Sequence, residues 1–261
     1  MIKLFFIHTL AFAYRNFIFA KRNVFVVVEM LFWPIMTVLS VGLMGGFLKL
    51  EENTFAFVMT GAVASGILQV TQLDVGYSLM YDLWSKSVKH TFLTPAGITP
   101  ALMGAWIVGI VRGSIVLGLL VSMSAYFFDF RLPGAGASLI FAFGIFWMAL
   151  LGGLCVWVLI LLYGQRAEIA VWALSYVTML LSGIYYPVDR LPEPFFTLAR
   201  LVPLTYFLDV FRSHYGFPLL FSYGIWKGLS LSLVYTFIGI GCVKLAVSGA
   251  RNSGLLLQLS E

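Results

Sequence analysis

The chain has 261 residues, 61% of them apolar and only 10% charged, with a formal net charge of +5 and a mean hydropathy of +0.98. A soluble domain carries about 25% charged residues, so this chain cannot cover a water-facing globule; its length suits an all-α integral membrane protein of about six spans and leaves no room for a soluble catalytic domain. The small positive excess fits membrane orientation better than nucleic-acid binding.

Residues 1–23 read as a helix lying at the membrane interface. His8, Arg15 and Arg22 recur every seven residues and share one face, with Phe5, Phe12, Phe17 and Phe19 largely elsewhere. Lys3 and the apolar run 4–12 superficially resemble a signal peptide, but Arg15, Lys21 and Arg22 follow at once and resist export. The first span is expected over about 24–48, where Pro34 can kink it, and the second over about 55–80, after the polar turn 49–53. In the connection 81–95, Trp84, Val88, Phe92 and Leu93 form the apolar side of a short helix. Lys86, Lys89 and His90 point outward, and Pro95 stops it. Further spans are expected over about 101–128, 137–162, 169–186 and 226–249, followed by a tail at 250–261.

Between the fifth and sixth spans, Pro187, Pro192 and Pro194 forbid a regular helix. Beyond them lie two short apolar pieces, 194–202 and 204–215, parted by Pro203. Each is about 14–18 Å long as a helix, half the thickness of a bilayer core. The stretch 187–215 therefore reads as a re-entrant hairpin, which survives at depth only where protein or water surrounds it.

Lys and Arg set the orientation. With the N-terminus inside, cytoplasmic segments and span ends hold Lys3, Arg15, Lys21, Arg22, Lys86, Lys89, Arg166, Lys244 and Arg251. The opposite side holds Lys49, Arg131, Arg190, Arg200, Arg212 and Lys227. Both termini are then cytoplasmic and the proline hairpin faces out.

The chain lacks G-x-x-x-x-G-K-[ST], H-E-x-x-H and Cys-x-x-Cys, so no catalytic or metal site is expected. Cys155 and Cys242 sit in apolar runs and read as buried small hydrophobes. Glu29, Asp74 and Arg112 lie inside apolar spans, where charges are costly and usually paired or facing a cavity. Counting from the cytoplasmic ends puts Glu29 and Asp74 about two turns deep and Arg112 about three, so an ion-paired cluster is geometrically available. The rival reading makes these three the coupling site of a proton-driven secondary transporter, but no His or chain of carboxylates accompanies them and no internal repeat is visible. Small residues at spacing four, such as Gly109/Gly113 and Gly224/Gly228, favour close helix crossings.

The order Tyr186-Pro187, Leu191-Pro192, Pro203-Leu204-Thr205-Tyr206 and then Arg212 resembles the last-loop signature of ABC-2 type exporter permeases, and the six-span plan fits nearly the whole chain. The resemblance implies one half of a permease dimer, a homodimer in the simplest case, working with two separate ATP-binding-cassette ATPase subunits. ATP and Mg then sit on the partner ATPase, and this chain holds no cofactor. It also implies that Trp84, Lys86, Lys89, His90, Phe92, Leu93 and Pro95 belong to a coupling helix docking on the ATPase, Leu93-Thr94-Pro95 being typical there. The N-terminal helix becomes a cuff that also touches the ATPase. Tyr185, Tyr186, Pro187, Leu191, Pro192, Pro203, Tyr206 and Arg212 form the gate and hairpin. Such permeases export polysaccharides, lipid-linked glycans, teichoic acids, drugs and haem-related cargo, and membrane lipids are their neighbours; the expected substrate here is amphipathic or glycan-type. The run Gly164-Gln165-Arg166-Ala167-Glu168 before Trp172, with Tyr185-Tyr186-Pro187, leans toward the polysaccharide and drug-export branch.

Overall fold

A computed structural model describes residues 2–93 and 96–252, and every regular element among them is helical. Helix α1 (Ile2–Arg22) covers the expected interfacial segment. Its residues Thr9, Ala13 and Ala20 are buried, while Leu4, Phe6, Leu10, Tyr14 and Phe17 are exposed. Spacings of four and seven put the three smaller residues on one face. That face packs closely on the protein and leaves the large apolar side chains for lipid.

Asn23 ends α1 and starts α2 (Val24–Phe47), its Oδ1 accepting the Phe25 N–H at 3.2 Å. This satisfies one of the orphan donors of a helix start. Helix α3 (Glu52–Trp84) follows, 33 residues and about 50 Å long. Nearly every side chain from Ala56 to Leu83 is buried, so α3 is the axis around which the others pack. Its small residues make this workable, since no hydrophobic force draws helices together in lipid and close backbone approach must do so. Gly66, for example, faces Pro34 of α2, where an added Cβ would come within 2.8 Å of the ring.

A turn with Lys86 at φ 54° leads to the short helix α4 (Val88–Leu93), and α5 (Ile98–Phe128) begins after Gly97. Helix α6 (Ala135–Tyr163) turns through the 3₁₀ segment Gly164–Ala167 into α7 (Glu168–Leu181). Then come α8 (Phe195–Ala199), α9 (Pro203–Arg212) and α10 (Gly224–Asn252). The break between α8 and α9 falls before Pro203, as the sequence predicts, though α8 has only five residues and is shorter than the expected piece 194–202.

Among the described residues, five stretches are long and apolar enough to cross a membrane: Val27–Phe47, Glu52–Trp84, Ile98–Phe128, Ala135–Leu181 and Gly224–Arg251. The fourth is α6 and α7 folded back on each other: Val156 and Val171 both face Gly76, while Thr178 shares a groove with Met148. Helix α7 has 14 residues, about 21 Å, short of a bilayer core of about 30 Å. The fifth span expected over 169–186 is thus only partly helical, because the chain leaves the helix at Ser182 and turns through Gly183 at φ 71°.

Two apolar clusters lie along α3. One joins Leu79, Leu83, Val88, Phe92, Leu102, Ile160, Ala167 and Val247. The other joins Met59, Ile67, Leu120, Phe141, Leu204 and Phe211. The segments therefore collect at two ends: α4, the 164–167 turn and the end of α10 at one, and the 129–134 and 182–223 connections at the other. At the second end the Tyr215 hydroxyl donates to the Arg131 carbonyl at 2.9 Å. Cys155 and Cys242 are not buried as the sequence suggests; both are free and line a groove at the surface between α6 and α10.

Candidate functional site

The α3–α4 corner is built on Asp82, which is only 6% exposed. Thr91 Oγ1 donates to its Oδ2 at 2.8 Å, Ser87 Oγ donates to its Oδ1 at 3.3 Å, and Arg15 Nη1 approaches Oδ1 at 3.1 Å. Arg15 Nη1 also donates to Thr91 Oγ1 at 3.1 Å. One carboxylate therefore ties α1, the end of α3 and α4 together. A buried carboxylate needs such partners, because an unpaired one costs several kcal/mol by desolvation alone, on the order of 3–5. Sequence reading missed this residue: its partners lie 67 positions before it and nine after it, and no local pattern marks them.

Helix α4 is shorter than the expected coupling segment 81–95, since α3 runs on through Trp84 before turning at Ser85 and Lys86. Val88 and Phe92 form the buried inner side as expected. Trp84 does not join them. It is 46% exposed and belongs to the last turn of α3, where it meets Tyr77 at 5.7 Å and Tyr81 at 5.6 Å between ring centroids. Lys86 is exposed, as expected. The side chains of Lys89, His90 and Leu93, and Pro95 altogether, lie outside the described residues. From the far end of the chain, Arg251 Nη2 donates to the Phe92 carbonyl at 2.6 Å.

Above this corner an aromatic column rises along one face of α3. Phe19 stacks on Tyr81 at 4.2 Å, Tyr81 on Tyr77 at 5.9 Å, and Trp172 Nε1 donates to the Tyr77 hydroxyl at 2.6 Å. The column ends at the intramembrane charges. Asp74 and Arg112 form an ion pair across α3 and α5, and Arg112 Nε also meets Met30 Sδ at 3.0 Å. Glu29 lines the same small cavity, about 30 Å³, with Trp33, Gln69 and Tyr81. That is room for ordered water beside the charges.

At the opposite end, Arg212 is 5% exposed and donates from Nη1 and Nη2 to the carbonyls of Gly183 and Ile184. Its guanidinium lies 3.5 Å above the Phe57 ring, a cation–π contact in a desolvated place. It thereby fastens α9 to the irregular chain after α7. Nearby, the Tyr206 hydroxyl donates to the Arg200 carbonyl at 2.8 Å and Thr205 Oγ1 to the Ala199 carbonyl at 2.9 Å, so the first turn of α9 is pinned to the end of α8. The Tyr186 hydroxyl donates to the Leu180 carbonyl, and Pro203 opens α9. Tyr185 lies against Gly61 of α3, Pro187 precedes a short 3₁₀ turn, and Leu191 and Pro192 run on toward α8. Asp209 accepts the backbone N–H groups of Leu220 and Phe221 at 3.1–3.2 Å. Burial pushes its carboxyl up, and those two donors and Arg212 oppose the shift.

Comparison with known proteins adds two findings. An uncharacterized protein of Archaeoglobus fulgidus is 48% identical over 46 residues, which make up 18% of this chain and 72% of that protein. The ABC-2 type transporter family model matches residues 8–215, from the buried face of α1 through α9. That range takes in both the α3–α4 corner and the Arg212 fastening, and on it the chain belongs to the ABC-2 type transporter family, as a multi-pass membrane permease subunit that is not itself catalytic.

Proposed function

We propose that this chain is one half of a permease homodimer that exports an amphipathic or glycan-type substrate, driven by two separate ATP-binding-cassette ATPase subunits. ATP and Mg belong to those partners. Helix α4 is the surface through which the ATPase pushes, and its end of the molecule is cytoplasmic, together with both termini. The observation that carries this is the α3–α4 corner: a short helix set off from the most buried helix by a left-handed turn at Lys86, its inner side packed and its Thr91 hydroxyl held by the Asp82 carboxylate. Such a unit transmits displacement as a body instead of bending. The aromatic column from Phe19 to Trp172 supports a cargo with ring faces, since aromatic surfaces contact sugar rings without demanding one hydrogen-bond pattern. The excess of Lys and Arg at the α4 end supports the orientation. The proton-coupled reading built on Glu29, Asp74 and Arg112 is less well supported, because Asp74 and Arg112 neutralise each other beside a cavity of about 30 Å³.

The test is co-purification of the ATPase with permease variants in detergent, where anionic lipid no longer matters. Lys86→Glu with Lys89→Glu is expected to weaken ATPase binding while the permease remains folded and inserted. Undiminished co-purification removes α4 as the docking surface.

A further inference from the structure

We propose that α10 carries the displacement of α4 to the outer end of the molecule, and that Arg251 is the positioning residue that joins the two helices. This rests on the reading of α4 as the coupling segment. The last carbonyls of a helix have no partner within it, and in α4 the Phe92 carbonyl is taken by Arg251 Nη2 at 2.6 Å. Val243, Ala246, Val247 and Ala250 of α10 are buried in the same cluster as Val88 and Phe92. The end of α10 therefore holds α4 both by packing and by a charge-assisted hydrogen bond.

The other end of α10 holds α9. Gly228 faces the ring of Phe207, where an added Cβ would lie 3.0 Å from it, and Gly224 faces Val210 at the same distance. Phe207 is buried and also fills the space over Gly144 of α6. From α9 the connection continues through Arg212 to the carbonyls of Gly183 and Ile184. Grips included, α10 is a 29-residue helix without proline, about 43 Å long.

Two observations favour α10 over α3 as the moving member. Helix α3 is buried on all sides, and shifting it means repacking a dense interior. Helix α10 shows Leu233, Val234, Phe237, Ile238 and Leu245 to the outside, so lipid closes behind it when it moves. Beside it lies a groove of about 520 Å³ between α6, α7 and α10, lined by Met148, Leu174, Tyr235, Ile238 and Cys242 among others, which leaves room for a shift.

The experiment uses the permease–ATPase complex in nanodiscs, with Cys155 and Cys242 replaced by Ser and an environment-sensitive fluorophore on Asp189→Cys. Its signal change on adding ATP reports the outer end. Phe237 is 74% exposed, so Phe237→Pro breaks α10 between its grips with little loss of packing, and Phe237→Ala is the control. Phe237→Pro and Arg251→Gln are each expected to cut the response at residue 189 by about fivefold or more, the low end of ordinary coupling between sites. ATPase co-purification and ATP hydrolysis should stay at their original levels in Phe237→Pro, and the response of every variant is taken per bound ATPase. Phe237→Ala and Arg251→Lys, the latter keeping a cationic donor, should preserve the response. A full response in Arg251→Gln overturns the proposal even if Phe237→Pro fails to fold. If the ATPase does not co-purify with the unmodified permease, the reading of α4 falls, and this inference with it.

Discussion

At the scale of single residues, the two buried acids behave differently because their partners differ. Asp82 sits at the end of α3 and is shared among hydroxyls and Arg15, so its task is to join elements. Asp74 lies deeper and is answered by one guanidinium, with its Oδ2 given no hydrogen-bond partner among the described residues. If the pair is structural, Asp74→Asn or Arg112→Met alone strands a charge in a low-dielectric place and is expected to cost about 3–5 kcal/mol, while the double variant costs less than the sum. Thermal unfolding of the four proteins in detergent checks this, and strictly additive losses would argue against pairing. Transport lost in Asp74→Asn while stability holds would bring back the proton-relay reading.

Among elements, α1 is more than a float on the membrane surface. It crosses α5 at Gly104, where an added Cβ would fall 2.8 Å from Ala13 N, Phe12 Cβ and the Thr9 carbonyl. Two of those three atoms are backbone, which cannot swing aside as a side-chain tip can. Arg15 then holds the same helix to α3, so α1 braces both stems of the loop that carries α4. Gly104→Ala is expected to push α1 off α5 and to destabilise the permease by about 1–3 kcal/mol, the usual range for overpacking. Unchanged melting together with unchanged cross-linking between α1 and α5 would mean the contact gives way easily. The turn between α6 and α7 matters in a different way. The two helices form one long apolar stretch by composition, yet the chain reverses at Gly164, where φ is 64°.

For the whole molecule, topology is the property on which the coupling assignment hangs. The structure gathers the loops at two ends, and the proposed orientation, with the α4 end in the cytoplasm, rests on the Lys and Arg balance. With Cys155 and Cys242 replaced by Ser, Glu51→Cys, Arg131→Cys and Asp189→Cys should label from outside intact cells. Lys86→Cys and Gln165→Cys should label only after permeabilisation. All five positions are exposed, so a failure to label is not a matter of burial. Labelling of Lys86→Cys from outside would invert the molecule and remove α4 from reach of any cytoplasmic ATPase.

The membrane class, the long helices and the interruption at Pro187, Pro192, Pro194 and Pro203 were legible in the sequence, because composition, helical period and the missing proline N–H act locally. The Asp74–Arg112 pair was within reach too, since a charge in an apolar span has few ways to be satisfied. Tertiary structure decided the rest. Trp84 turned outward because α3 runs one turn further than its apolar pattern required. Cys155 and Cys242 face a groove because α6, α7 and α10 leave a gap there that none of the described residues fills. Asp82 found Arg15, and Phe92 found Arg251, across 67 and 159 positions of sequence. Which faces of two apolar helices meet is settled by the fit of small and large side chains across the crossing. In lipid, every face of such a helix is apolar enough to be buried, so hydrophobic pattern alone cannot choose among them.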